Sequence, residues 1–211
     1  MSARNIARIL GVAVATAWAL SSLVDTCHAS AGPCPDVEVV SARGTGEAPG
    51  VGSVGQAFID SLRSKVPGRN IGVYAVNYPA SEDLVRSPPV GADDGRAHVQ
   101  ATVANCPNTR MVLGGFSQGA NVIDRITEEL RPEVADHVAA VAVFGNPRST
   151  FATKMVGGQL PTISPLYRPK TIDLCVPNDP ICSEGSSSTA HGLYAQSGMT
   201  DQAATFVASK L

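Results

Sequence analysis

The segment from Arg110 to Leu130 constrains the fold more than any other part of the chain, because it reads as strand, sharp turn and helix in immediate succession. Met111, Val112 and Leu113 form a continuous apolar run, as in a parallel strand covered on both faces. From Gln118 to Leu130 the residues Ala120, Val122, Ile123, Ile126 and Leu130 recur at helical spacing, with Pro132 just beyond. Between the two stand Gly115-Phe116-Ser117-Gln118-Gly119. A serine between glycines at a strand-to-helix turn is the pattern of a nucleophile elbow, whose tightness leaves no room for flanking side chains and exposes the serine oxygen. The pentapeptide alone fits an ordinary glycine-rich turn, and its flanks favour the nucleophile. Phe116 is expected as a buried residue at the end of the strand.

The rest of the chain repeats the alternation. Strands are predicted at Val37 to Ala42, Ile71 to Val76, Val138 to Phe144 and Thr171 to Val176, and helices at Val54 to Val66, Arg96 to Asn105 and Gln202 to Lys210. This order implies an α/β fold with a central parallel sheet of about five strands and helices on both faces. Ligands in such folds bind at the carboxyl ends of the strands, where Ser117 would lie.

Arg4 and Arg8 precede an apolar stretch from Ile9 to Leu20, and Ala29-Ser30-Ala31 offers a small-residue cleavage site. Residues 1–31 therefore read as a secretory signal peptide and 32–211 as the mature domain. The stretch is short for a membrane span of about 20 residues, and acidic Asp25 two positions before Cys27 argues against lipidation. Cleavage would remove Trp18, the single tryptophan, and Cys27, leaving four of the five cysteines. An even number in an exported chain suggests two disulfides among three connectivities. Cys175 and Cys182 are close enough to staple one loop. Cys34 and Cys106 each precede a predicted strand, and the starts of parallel neighbours meet, which pairs Cys34 with Cys106 and Cys175 with Cys182. Zinc knuckles of the C-x-x-C kind are absent, and no metal or other cofactor is expected.

About 180 residues make one domain, too few for a second domain or a large lid. The 16 basic and 18 acidic residues fall to 14 and 17 without Arg4, Arg8 and Asp25, a net charge of −3 without a basic run. Nucleic acid is not an expected partner.

A serine nucleophile needs a base to take its proton. In the chain order serine, acid, histidine, His98 is too early and reads as lying on a solvated helix face. His137 stands just before a strand, at the opposite edge of the sheet, and His191 remains. The acid is Asp173 or Asp179. Asp173 falls inside the last strand, whereas Asp179 lies beyond its end in the loop that Cys175 and Cys182 would staple, a place where an orienting carboxylate is held firmly. Asn178-Asp179-Pro180 is also a well-formed turn sequence, and the two roles are compatible. The oxyanion would be held by the N–H of Gln118, after the nucleophile, and by a donor from the loop after an early strand. That loop is Arg43-Gly44-Thr45-Gly46-Glu47, where Thr45 offers an N–H and a hydroxyl; a plain glycine-rich turn accounts for the same residues.

Taken together, Cys34-Pro35-Asp36, Ala42-Arg43-Gly44-Thr45, Cys106-Pro107, the Gly115 to Gly119 elbow, Cys175 to Cys182 and His191 resemble the cutinase family across essentially the whole mature chain, and within it the cutinase-like proteins secreted by mycobacteria. The resemblance implies a minimal, lidless α/β hydrolase with Ser117, Asp179 and His191 as the triad, Thr45 and Gln118 at the oxyanion positions, and the same two disulfides. It also implies a secreted esterase for short or medium acyl chains, acting as a monomer on an ester or lipid substrate, released or held at the cell wall. Acetylxylan esterase, lipase or phospholipase activity, and a catalytically silent binding or adhesion protein, are the alternatives. Plant-surface cutinases carry a serine where Thr45 stands and apolar flaps beside the site, whereas Ser183 to Thr189 here is polar, which argues against cutin. Leu84, Val85, Val90 and Ile181 are the candidate lining of a shallow acyl site.

Overall fold

The computed structural model describes residues 33–211. The expected signal peptide, with Arg4, Arg8, Trp18 and Cys27, lies outside the described residues. Five strands form one parallel sheet: β1 (Val37–Ala42), β2 (Ile71–Ala75), β3 (Arg110–Phe116), β4 (Val138–Phe144) and β5 (Thr171–Leu174), in the order β2-β1-β3-β4-β5. The helices are α1 (Gly52–Lys65), α2 (Ser87–Asn105), α3 (Gln118–Glu129), α4 (Pro132–Ala135), α5 (Thr150–Val156) and α6 (Met199–Ala208).

Alternation along the strands sends successive side chains to opposite faces. On one face Val40, Leu113, Val141 and Val143 pack with Val99 of α2 and Val122, Ile123 and Ile126 of α3. On the other, Val39, Val112, Ala142 and Phe144 meet Phe58 and Leu62 of α1 and Ala203 and Val207 of α6. Strand β4 is buried along its whole length. It pairs with β3 on one side and β5 on the other, which explains an apolar run with no polar alternation.

Helix α2 begins at Ser87, nine residues before the start that periodicity predicts. Pro88 and Pro89 occupy its first turn, where a missing N–H costs nothing. Its buried face includes Gly91, Ala92 and Gly95, and a Cβ on Gly95 would come within 2.5 Å of Ile126 Cδ1. Smallness rather than apolarity marks this face, so hydrophobic spacing does not reveal it. His98 is a second correction. Its Nε2 lies 3.0 Å from Glu38 Oε2, and its ring stacks on Tyr74 at 3.5 Å, so it is packed against the sheet and not on a solvated helix face.

Both expected disulfides are present. Val37 and Arg110 are register partners at the starts of β1 and β3, which brings Cys34 and Cys106 to a Cα separation of 5.6 Å. Cys175 and Cys182 close the loop after β5 at 5.8 Å.

Candidate active site

Ser117 stands between β3 and α3 with φ 55° and ψ −118°, a strained backbone that a non-glycine residue adopts only when its surroundings enforce it. The enforcement is local. Its N–H donates to Phe144 O at 2.9 Å, and its carbonyl accepts from the N–H groups of Ala120 and Asn121. A Cβ on Gly115 would sit 2.4 Å from Gly119 O, and one on Gly119 would sit 2.0 Å from Ala42 O. Backbone passes where side chains would be, which is why the elbow needs both glycines.

The structure brings Ser117, His191 and Asp179 together. His191 Nε2 lies 2.8 Å from Ser117 Oγ, and His191 Nδ1 lies 2.8 Å from Asp179 Oδ2. A carboxylate only accepts, so Nδ1 carries the ring proton and Nε2 is left to accept from the serine hydroxyl. Asp173 has no part in this chain, because it pairs with Arg148. His137 lies at the amino end of β4, away from the elbow.

Asp179 is fully buried. Its Oδ1 accepts from the Ile181 N–H at 2.8 Å, and its Oδ2 accepts from Tyr194 Oη at 2.5 Å. Burial, with the bond to Asp179 next, pushes the Tyr194 phenol far above its ordinary pKa, so it remains a donor. Tyr194 is a site residue that sequence reasoning missed, since a tyrosine three positions after His191 reads as core. Phe116 differs from expectation as well. It is half-buried, and its ring stacks on His191 with centroids 5.0 Å apart. It walls the imidazole on one side.

Gln118 is the first residue of α3, so its backbone N–H has no partner within the helix. Its side chain is 3% exposed and does more than the sequence suggests. Nε2 donates to Thr45 Oγ1 at 3.0 Å and to Ser81 O at 2.8 Å, while Oε1 accepts from Ser87 Oγ at 2.7 Å. Because Thr45 Oγ1 already accepts, its own proton is free to point elsewhere. The Thr45 loop is braced by buried Arg43, whose guanidinium donates to Glu47 O and Tyr78 O, and by Glu47, whose carboxylate accepts from the Gly44 and Ser53 N–H groups.

Ser117, His191, Thr45 and Gln118 open onto one cleft of about 290 Å³. Its apolar lining includes Leu84, Pro88, Met155, Val156, Leu160 and Ile181. Leu84 and Ile181 stand where the sequence suggests, whereas Val85 and Val90 lie outside the lining and are exposed. Helix α5, not foreseen, supplies Met155 and Val156. Its seven residues are too short a window for a helical period to show.

The family model for cutinase matches residues 33–211. Carboxylesterase Culp1 of Mycobacterium tuberculosis is 59% identical over 213 residues, spanning 100% of this chain and 98% of that protein. Phospholipase Culp4 of the same organism is 46% identical over 220 residues, spanning 100% of this chain and 93% of that protein. Among solved structures, a Trichoderma reesei cutinase bound to a phosphonate inhibitor aligns with a TM-score of 0.67 at 31% identity, over 84% of this chain and 77% of the other. An acetyl xylan esterase aligns with a TM-score of 0.70 at 25% identity, over 84% of this chain and 99% of the other. With a family match over the whole described domain and relatives that span the full chain, the protein belongs to the cutinase family of carboxylic ester hydrolases.

Proposed function

We propose that this protein is an exported serine esterase in which Ser117 is the nucleophile, His191 the base and Asp179 the orienting acid. The observation that carries this is the unbroken Ser117, His191, Asp179 chain of two 2.8 Å contacts. His191 Nε2 takes the Ser117 proton as Oγ attacks the ester carbonyl, and the Asp179 carboxylate stabilises the imidazolium that forms. The N–H of Gln118 and the hydroxyl or N–H of Thr45 hold the developing oxyanion. His191 then protonates the leaving alcohol. Water, activated by the same ring, releases the acid from the acyl-serine. The first proton transfer uses the Ser117–His191 contact already in place.

A cleft of about 290 Å³ with an apolar wall is small for a ligand site, where roughly 300 to 1,000 Å³ is usual, and this supports short to medium acyl chains. Phospholipid hydrolysis is a second reading, favoured by the 46% identity to a protein named a phospholipase. Replacing Ser117 with alanine should lower kcat about a million-fold while leaving the fold intact. Esters of graded chain length and emulsified phospholipid, each run with that variant, separate the readings. Hydrolysis retained by Ser117→Ala would end the assignment, and failure of an organophosphonate to label Ser117 would mark a silent binding protein.

Export through removal of residues 1–31 is part of the same proposal, supported by the two disulfides of the domain. Trp18 would leave with the leader. The secreted protein should therefore emit as tyrosine alone, and tryptophan-type fluorescence would show that the leader is retained.

A further inference from the structure

Asn121 lines the catalytic cleft and takes no part in the triad, the oxyanion donors or the hydrogen bonds of the Gln118 side chain. It stands on α3 one turn after Ser117, and its backbone N–H donates to the Ser117 carbonyl. The residue is only 5% exposed. Its orientation follows from its side-chain hydrogen bond. Arg125 Nε lies 3.1 Å from Asn121 Oδ1, and a guanidinium only donates, so the oxygen and nitrogen ends of the amide are not interchangeable. Arg125 sits a further turn along α3 and is not part of the cleft lining. The oxygen is therefore turned toward Arg125, and Nδ2 is the end presented to the cleft.

Among the described residues Nδ2 has no hydrogen-bond partner, and unlike Arg96 Nε, Asn146 Oδ1 and Tyr167 Oη it keeps some accessible surface. On a residue so nearly buried, that surface belongs to the cleft it lines. The other polar side chains there are committed or of the other kind. Gln118 spends both ends of its amide on Thr45, Ser81 and Ser87, and Glu82 only accepts. Much of the remaining wall is apolar, with Pro88, Met155, Val156 and Ile181. One oriented donor on an apolar wall fixes where a ligand oxygen can sit. One turn of helix sets Asn121 about 6 Å from Ser117 along the axis, which a bound ester spans in roughly three to five bonds.

We propose that Asn121 Nδ2 forms a subsite for an acceptor oxygen of the substrate, roughly three to five bonds from the scissile carbonyl, so that oxygenated esters are preferred to plain hydrocarbon ones. This rests on the esterase reading of the same cleft. An ether, hydroxyl or second ester oxygen supplies the acceptor, from the acyl or the alcohol side. The test measures kcat/KM on butyl pentanoate and on two isosteres in which one methylene becomes an ether oxygen, butyl 3-methoxypropanoate on the acyl side and 2-methoxyethyl pentanoate on the alcohol side. Each is run with the wild type, Asn121→Leu and Asn121→Asp. Leucine keeps the shape and removes the donor, while aspartate removes the donor and keeps an acceptor for Arg125. The wild type should favour one ether ester over butyl pentanoate by about three- to tenfold more than either variant does, and the ester that shows it identifies the side. Comparing ratios cancels the intrinsic reactivity that the ether oxygen lends, and a merely structural role would lower all three rates alike. Unchanged ratios in both variants would overturn the proposal, and Asn121→Asp alone decides if Asn121→Leu does not fold. Failure of the wild type to hydrolyse butyl pentanoate would instead end the esterase reading, and this one with it.

Discussion

Tyr194 holds the carboxylate that holds the imidazole, and this shows how far the chemistry of one hydroxyl depends on groups it never touches. A buried carboxylate left short of a donor turns toward another one, and the imidazole follows it. Tyr194→Phe keeps the ring packing on Phe116 and Phe144 but removes the Oη donor to Asp179. The expected outcome is a stability loss of about 1.5 to 3 kcal/mol and a kcat lowered roughly tenfold at unchanged KM. Urea unfolding and steady-state kinetics on a soluble ester check both parts. An equal rise in KM would point instead to a displaced cleft. Gln118 shows the same economy on the other side of Ser117, where one side chain ties Thr45 to the loop that carries Ser81 and to the first turn of α2.

Among the elements, the loop from Cys175 to Cys182 is the one whose rigidity the site needs most. It carries Asp179, and Asn178 before it has φ 71°, a left-handed conformation held by hydrogen bonds from Ser186 and Ser187. Replacing both Cys175 and Cys182 with serine should cost about 2 to 3 kcal/mol on the chain-entropy model and should lower kcat as well. Removing Cys34 and Cys106 should cost more stability, about 4 kcal/mol, with kcat retained in whatever protein stays folded, because that bridge lies at the amino ends of the strands. Chemical unfolding with parallel kinetics tests the contrast.

These elements also show what could be read in advance. All five strands were legible, the central β3 and β4 as the continuous apolar runs of buried parallel strands and the edge strand β5 by its alternation. His191 was singled out because only two histidines follow Ser117, and Asp179 because it falls in the loop between Cys175 and Cys182 beyond the last strand. The first half of α2 was not, since its packing surface is made of glycine and alanine. Nor was α5, whose seven residues hold no repeat. The hydrogen bonds of Tyr194 to Asp179 and of Asn146 to Asp124 join residues 15 and 22 positions apart in sequence, and no local pattern encodes those.

For the whole molecule, Asp124 couples stability to pH. Burial, opposed by the hydrogen bond from Asn146 and reinforced by Asp173 and Glu128 against Arg148, raises its pKa from 3.8 to about 8. The folded state therefore binds a proton that the unfolded state has released at any pH between those values. The stabilising effect is complete below 3.8 and is lost as pH rises through about 8, at up to about 1.4 kcal/mol per pH unit. Asp124→Asn keeps the acceptor for Asn146 and removes this slope. The variant should gain on the wild type steadily as pH rises and stop gaining above about 8, a difference read from unfolding midpoints across the range. Parallel curves would show that Asp124 ionises freely in the folded state. Strand β4 has a consequence of another kind. Val138 to Phe144 carries no charge, no proline and no glycine, and it is shielded only while β3, β5 and both helical layers are in place. In an incompletely oxidised chain the same seven residues are a sticky, strand-prone segment, so production in a reducing cytoplasm should give more insoluble protein than production in an oxidising compartment, a difference read from the soluble fraction of each.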